Sequence, residues 1–304
     1  MELVNLSPEE FDAVYTRPLC CYATGAFGRL NAAKGREVEC VSAVDASGRH
    51  RCGLIAGLTD DGWRAPFSAP FAAVSYNAEQ KLETLADFAR LLADRFGDRG
   101  LTVTLPPAVY DPVMQPRVVG AFLTVGRMLY ADYNYHYELA RYPGYVAGLE
   151  PNMRNHYNRS VRAGFMFAAC TLARAYEVIA LNRQQRGFPL RMTLAALVET
   201  SRLVAIDSFV LSKDGCDIAA AIIYRLNERV AQVIYWGHVE GWNESRPMAM
   251  IARCVMEHYY GAGYETVDIG PSSSEGEPNL GLCAFKEALG CTLTFKPTLT
   301  LRRR

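Results

Sequence analysis

Lys286 is the single lysine of the stretch "VDIGPSSSEGEPNLGLCAFKEALGC" (Val267–Cys291), which runs from an apolar strand through a small-polar loop into a helix. An ammonium in such a place can stabilise the charge that develops on a carbonyl oxygen as an amine attacks an ester or thioester. The plainer alternative is a solvated helix lysine paired with Glu287. Asp268 alternates with Val267 and Ile269 at the end of the strand. Its carboxylate can orient an amine or take its proton, or it can shape the following loop by accepting backbone amide bonds. Ser272, Ser273 and Ser274 offer hydroxyls to a substrate. No Ser-His-Asp order is recognisable, so a serine nucleophile is not expected.

Two further features bear on binding. "VIYWGH" places Tyr235 and Trp236 on opposite faces of one strand, which gives one a core role and leaves the other for a ligand. From Arg141 to Arg191 the chain carries eight arginines, no lysine, and only Glu150 and Glu177 as acids. Arg154, Asn158 and Arg162 fall four apart, on one helical face. Arginine without lysine suits bidentate binding of phosphate or carboxylate; a solvated face paired with acids elsewhere is the alternative.

The elements that must position these groups can be read from periodicity and turn chemistry. "SPEEF" (Ser7–Phe11) has the form of a capping box with proline at the first helical position. "VECVSAVDASGRHRCGLIAGL" reads as two strands around Ser47-Gly48, and "WRAPFSAPF" as a strand broken by Pro66 and Pro70. "NAEQKLETLADFARLLADRFG" has apolar residues at helical spacing. In the second half, "GLEPNMRNHYNRSVRAGF" reads as a helix ending at Gly164. Three meander strands follow: "LVAIDSFVLS", "DIAAAIIYRL" and "RVAQVIYWGHV". "SRPMAMIARCVMEHYYGAG" reads as a helix capped by Ser245, "YETVDIG" as a strand, "NLGLCAFKEALG" as a helix and "TLTFKPTLTL" as a closing strand. The first half repeats a worn version of this order, so two similar α+β units in tandem are expected.

Composition narrows the function classes. The 304 residues suffice for two domains, half are apolar, and Lys plus Arg (32) equals Asp plus Glu (32). No global field therefore draws the chain to nucleic acid. "MELVNLSPEEFDAVY" lacks a basic n-region and an apolar h-region, and no apolar run approaches the roughly 20 residues of a membrane span; a cytoplasmic protein is expected. Nine cysteines without a Cys-x-x-Cys pair, and five histidines without ligand spacing, point to neither a disulfide framework nor a metal site. Cys20 and Cys21 read as structural, and Cys170, Cys254 and Cys283 as small core hydrophobes.

The order of elements resembles the GNAT acyltransferase fold, and the tandem resembles the FemABX family of aminoacyl transferases and its GNAT-like relatives. Four pieces carry this: "MRNHYNRSVRAGF" (Met153–Phe165), the meander "VLSKDGCDIAAAIIYRLNERVAQVIYWG", "HYYGAGYETVDIGPS" with its Asp-x-Gly-x-Ser ending, and "GLCAFKEALGC". The resemblance implies an α+β fold with a mixed sheet: a degenerate GNAT-like domain over 1–141 and a GNAT-like transferase domain over 142–304. It implies transfer of an acyl or aminoacyl group to a primary amine, with Phe285 and Lys286 lining the transfer cavity; Asp268 is the second catalytic candidate. Tyr235, Trp236, Ser272, Arg246, Arg154 and Arg162 become candidates for binding donor or substrate. No tightly bound cofactor is implied. The donor is acyl-CoA, as co-substrate, or aminoacyl-tRNA; the acceptor is a small-molecule or peptide amine, nucleotide-linked in one reading.

One departure bears on the donor. Members that bind acyl-CoA carry a Gly-x-Gly turn after the aromatic strand, where helix-terminal amides cradle a pyrophosphate. Here the stretch reads "WGHVEGWNESRPMAM", without that turn and with Pro247 removing one amide. Arg246 and the remaining amides can still meet an anion. A non-catalytic binding protein that keeps a degenerate GNAT fold is the rival reading.

Overall fold

The computed structural model of the chain describes residues Met1–Arg302. The chain divides into two compact units: Met1–Tyr133 with Ser273–Glu277 and the stretch from Thr294 onward, and Asn134–Ser272 with Pro278–Leu293. Both units are α+β.

The first unit contains β1 (Glu2–Leu6), α1 (Pro8–Val14), α2 (Gly25–Leu30), β2 (Glu37–Val44), β3 (His50–Thr59), β4 (Gly62–Ala65), α3 (Leu82–Phe96), β5 (Leu101–Thr104), α4 (Met114–Leu123) and β6 (Gly126–Glu138), the last as far as Tyr133. The expected capping box opens α1: Ser7 Oγ accepts from Glu10 N at 3.2 Å and Glu10 Oε2 from Ser7 N at 2.7 Å. Strands β1 to β4 pair antiparallel in sequence order, and β4 then pairs parallel with β5. The strand expected over "WRAPFSAPF" stops at Ala65, because Pro66 has no N–H to give the ladder.

In α3 the buried residues Leu85, Phe88, Ala89, Leu92, Ala93 and Phe96 repeat at helical spacing and pack on Val41, Leu54, Leu101 and Val103 of the sheet. Gly53 is required where α1 crosses β3, since a Cβ there would come within 2.4 Å of the Tyr15 ring.

The second unit continues from Asn134 of β6 through α5 (Tyr145–Gly148), α6 (Pro151–Arg162), β7 (Met166–Ala169), α7 (Leu172–Gln185), α8 (Leu194–Ser201), β8 (Ile206–Lys213), β9 (Cys216–Arg225), β10 (Val230–His238), α9 (Pro247–Gly261) and β11 (Thr266–Pro271). After the short β12 (Ser273–Ser274) and β13 (Glu277–Pro278) come α10 (Leu280–Ala288) and β14 (Thr292–Leu301). Strands β7, β8, β9 and β10 pair antiparallel, β10 pairs parallel with β11, and β11 pairs antiparallel with β6. Both units thus have three meander strands, a helix, and a fourth strand parallel to the third. This is the repeat that the sequence carries in worn form.

Three expectations change in detail. The cap of α9 is Arg246, not Ser245. Pro247 is the first helical residue, and the residue before a proline is kept out of the right-handed helical region. Arg246 takes a left-handed conformation (φ 54°), and Ser245 ends a preceding 3₁₀ turn. Cys254 and Cys283 are buried, whereas Cys170 is only half-buried. The closing strand β14 pairs with β5, Thr298 opposite Thr104 and Leu301 opposite Leu101, so from Thr294 it is a strand of the first unit. Among the described residues, no helix is long and apolar enough to cross a membrane.

Phe88 has no solvent exposure and sits at the centre of the α3 face. Phe88→Ala is expected to lower the unfolding free energy by about 3–5 kcal/mol, read from the urea midpoint.

Candidate functional site

The parallel pairing of β10 and β11 covers three residue pairs: Val230 with Thr266, Ala231 with Val267, and Gln232 with Asp268. Beyond them β10 runs on to His238 and β11 to Pro271, without further pairing between them. Two parted strands leave backbone groups that must find other partners. Asp268, fully buried, sits at the last pair. Its carboxylate accepts from Asn134 Nδ2 and Gln232 Nε2 at 2.8 Å each, and from the amide of Gly270 at 2.9 Å. It ties β6, β10 and β11 together, and Gly270 beyond it takes φ 73°, which glycine adopts without penalty.

The next three residues, Ile269, Gly270 and Pro271, have their carbonyls collected by Lys286. Its Nζ donates to them at 3.1, 2.8 and 3.0 Å, and the side chain is 2% exposed. An ammonium has three protons, and here all three have acceptors. Burial pushes the Lys286 pKa down to about 8, with the nearby Asp268 charge opposing. Glu287 is not its partner; that carboxylate accepts from Tyr135 Oη at 2.6 Å.

On β10 the register moves from Val233 opposite Ile223 to Tyr235 opposite Ile222, making Ile234 the extra residue of a bulge. Helix α7 docks closely on this end of the strand. Asn182 Nδ2 donates to the His238 carbonyl at 2.6 Å, and a Cβ on Gly237 would lie 2.4 Å from Asn182 Oδ1.

A cavity of about 1040 Å³ opens where the strands part. Ile234, Trp236 and His238 of β10 line it, with Ile269–Pro271 of β11, Arg246–Ala249 at the start of α9, and Leu282, Phe285 and Lys286 of α10. Helix α6 adds Met153 and His156, α7 adds Asn182 and Arg183, and the C-cap of α7 adds Arg186. Glu150 is the one carboxylate in the lining.

Four of the expected residues, Lys286, Phe285, Trp236 and Arg246, are therefore brought together at the cavity. The others lie outside its lining. Tyr235 Oη accepts from Met192 N at 3.3 Å, and its ring carries the Arg183 guanidinium 5.8 Å from the centroid. Ser272 is buried; its carbonyl accepts from Asn279 N at 2.8 Å, while its Oγ has no hydrogen-bond partner. Arg154 donates to the carbonyls of Ala147 and Leu149 at 2.8 and 3.1 Å, and Arg162 Nε to that of Asn158 at 3.3 Å. The arginine face of α6 thus bonds to backbone of its own segment.

Sequence reasoning passed over His156 and His238, and named Arg183 and Arg186 only as members of the arginine run. The last two are three apart, the spacing of one helical face. Burial lowers the pKa of both histidines; Arg246 and Arg159 lower His156 further, and Arg186 lowers His238 further against a hydrogen bond to Asn243 that raises it. Both rings are therefore neutral at pH 7.

If Lys286 and Asp268 hold the parted strands, removing either strands buried polar groups. Lys286→Met and Asp268→Ala are each expected to cost about 3 kcal/mol of stability. Phe285→Leu, on the cavity wall, is expected to cost less than about 1.5 kcal/mol. Urea unfolding of the three variants checks this.

No family model matches the chain, and no curated protein matches its sequence. Solved structures do match. FemX is similar over 99% of this chain and 97% of its own, with a TM-score of 0.69 at 11% identity. L-PGS from Bacillus licheniformis is similar over 97% of this chain and 91% of its own, at a TM-score of 0.61 and 13% identity. A tandem GNAT protein from the clavulanic acid biosynthesis pathway covers 98% and 97%, at a TM-score of 0.52 and 16% identity. At such identities the fold is what is shared: this chain has the fold of FemX, built from two tandem GNAT-like units.

Proposed function

We propose that the second unit is an N-acyl or aminoacyl transferase that works in the cavity between the parted ends of β10 and β11. The observation that carries this reading is the parting itself. It leaves strand backbone facing a cavity inside a fold shared with FemX and L-PGS. The donor is an activated ester or thioester, aminoacyl-tRNA or acyl-CoA, and the acceptor is a primary amine on a small molecule or peptide. A further structure of TM-score 0.61, the C-terminal domain of a putative lysylphosphatidylglycerol synthetase, is named for an aminoacyl product, which favours the aminoacyl ester. Both donors are made in the cytoplasm, and a cytoplasmic place of work goes with this reading.

The acyl group lies between Trp236 and Phe285. The amine attacks its carbonyl carbon, a C–N bond forms, and the C–O or C–S bond to the carrier breaks. The amide of bulged Ile234 meets the developing oxyanion, since a preorganised backbone donor gains most where water is excluded. The amine's proton passes to His238 and from there to the leaving oxygen or sulfur. His238 Nε2 lies 2.7 Å from Asn243 Oδ1, which only accepts, so Nε2 carries the proton and Nδ1 is open to receive one. Lys286 and Asp268 act through the strand ends they hold and do not touch the reacting atoms.

That same internal use of Lys286 and Asp268 favours the second reading, a binding protein without chemistry. Incubation of the purified protein with charged tRNA or acetyl-CoA and a panel of amines decides between them. With His238 as proton acceptor, kcat/KM referred to the unprotonated amine is expected to fall about tenfold per pH unit below the histidine pKa, which lies under the ordinary value of about 6.5, and to be level above it. His238→Gln is expected to lose that acid limb together with about 10²-fold or more in rate. Ligand binding with no transfer from either donor would instead establish the non-catalytic reading.

A further inference from the structure

Four cationic side chains line the cavity, and two of them, Arg183 in the last turn of α7 and Arg186 at its C-cap, take no part in the transfer chemistry or in holding the strands apart. Five of the ten arginines of this unit outside the cavity are paired with carboxylates: Arg174 with Asp217, Arg202 with Glu199, Arg225 with Asp207, Arg229 with Glu265 and Arg253 with Glu257. Arg183 and Arg186 line the cavity, and among the described residues neither has an ion pair. Arg183 is half-buried. Its guanidinium lies over the Tyr235 ring, and its buried Nε has no hydrogen-bond partner. A buried, unbonded guanidinium N–H is costly unless a ligand completes it. The Tyr235 hydroxyl is itself fixed by Met192 N, so the ring beneath the guanidinium is held in place.

The start of α9 is poorly equipped for the same task. Its cap Arg246 is left-handed with no side-chain cap bond, and Pro247 lacks an amide proton. A helix start built from glycines presents backbone amides to an anion; here side-chain guanidinium groups stand at the cavity instead.

We infer that Arg183 and Arg186 form a phosphate anchor, supplied by helix α7, that holds the donor through the phosphates of a nucleotide carrier. The inference rests on the cavity being the donor site. Arg183 lies in the last turn of α7 and Arg186 three residues on, at its C-cap and still in right-handed conformation, so the two lie on one side of the helix end; a guanidinium grips a phosphate with two parallel N–H bonds. Arg246 faces the same cavity from α9 and adds charge. The close contact of Gly237 with Asn182 sets how near α7 lies to the strand that would hold the acyl group.

Inorganic pyrophosphate and ADP are the probes, with binding to the full chain measured by calorimetry. Arg183→Gln and Arg186→Gln are each expected to weaken pyrophosphate binding tenfold or more, and Arg202→Gln, on the surface beside Glu199, to leave it unchanged. Arg186 is exposed, so its variant tests the anchor even if Arg183→Gln fails to fold. Displacement of ADP by free coenzyme A marks a small thioester carrier, and displacement by deacylated tRNA an RNA carrier. No pyrophosphate binding by the wild type, or unchanged binding in the folded variants, overturns the anchor. Transfer assays on the same proteins separate this from the function. Transfer with an unchanged KM in the arginine variants removes the anchor and keeps the transferase. Pyrophosphate binding lost in the variants, with no transfer from either donor, keeps the anchor and removes the transferase.

Discussion

The second unit depends on how the open end of β11 is satisfied. Two parallel strands that separate inside a protein expose amides and carbonyls that a neighbouring strand would otherwise bond. Here a buried carboxylate, Asp268, takes the donors at the point of separation, and a buried ammonium, Lys286, takes the acceptors just beyond it. The two charges are close enough for each to offset part of the other's burial. Without them the strands would have to stay zipped or admit water. With them, the cavity is a permanent feature of the fold.

The same arrangement sorts the polar groups into those that build and those that face a ligand. Asp268 and Lys286 have their hydrogen-bonding capacity taken up internally. His238, Arg183 and Arg186 have not, and they line the cavity. The first unit repeats the topology without the device. At the end of its parallel strand β5 the chain reads Thr104, Leu105, Pro106 and Pro107. There the Thr104 carbonyl accepts from the Ala72 amide of the segment after β4, and the Leu105 amide donates to the Pro297 carbonyl of β14, so backbone groups satisfy the strand end. A worn repeat is what this contrast describes, in physical terms: same strand order, no carboxylate to hold an opening.

What the sequence determined by itself was local. The capping box at Ser7, the amphipathic face of α3, the turns of the β8–β10 meander and the proline start of α9 are set by residues within a few positions of one another. The strand-loop-helix around Lys286 was legible for the same reason, and the four-part resemblance placed Phe285, Lys286 and Trp236 at one site. Tertiary structure decided the rest, because it depends on which face of an element meets a neighbour. Arg154 and Arg162 share a helical face just as Arg183 and Arg186 do, and only the docking of α7 against Gly237 shows which pair reaches the cavity. Lys286 looked equally fit to meet an oxyanion or a solvated acid; what its ammonium meets is three backbone carbonyls brought near by the turn at Gly270. The pairing of β14 with β5 joins residues nearly 200 positions apart, and no local pattern encodes a partner at that distance.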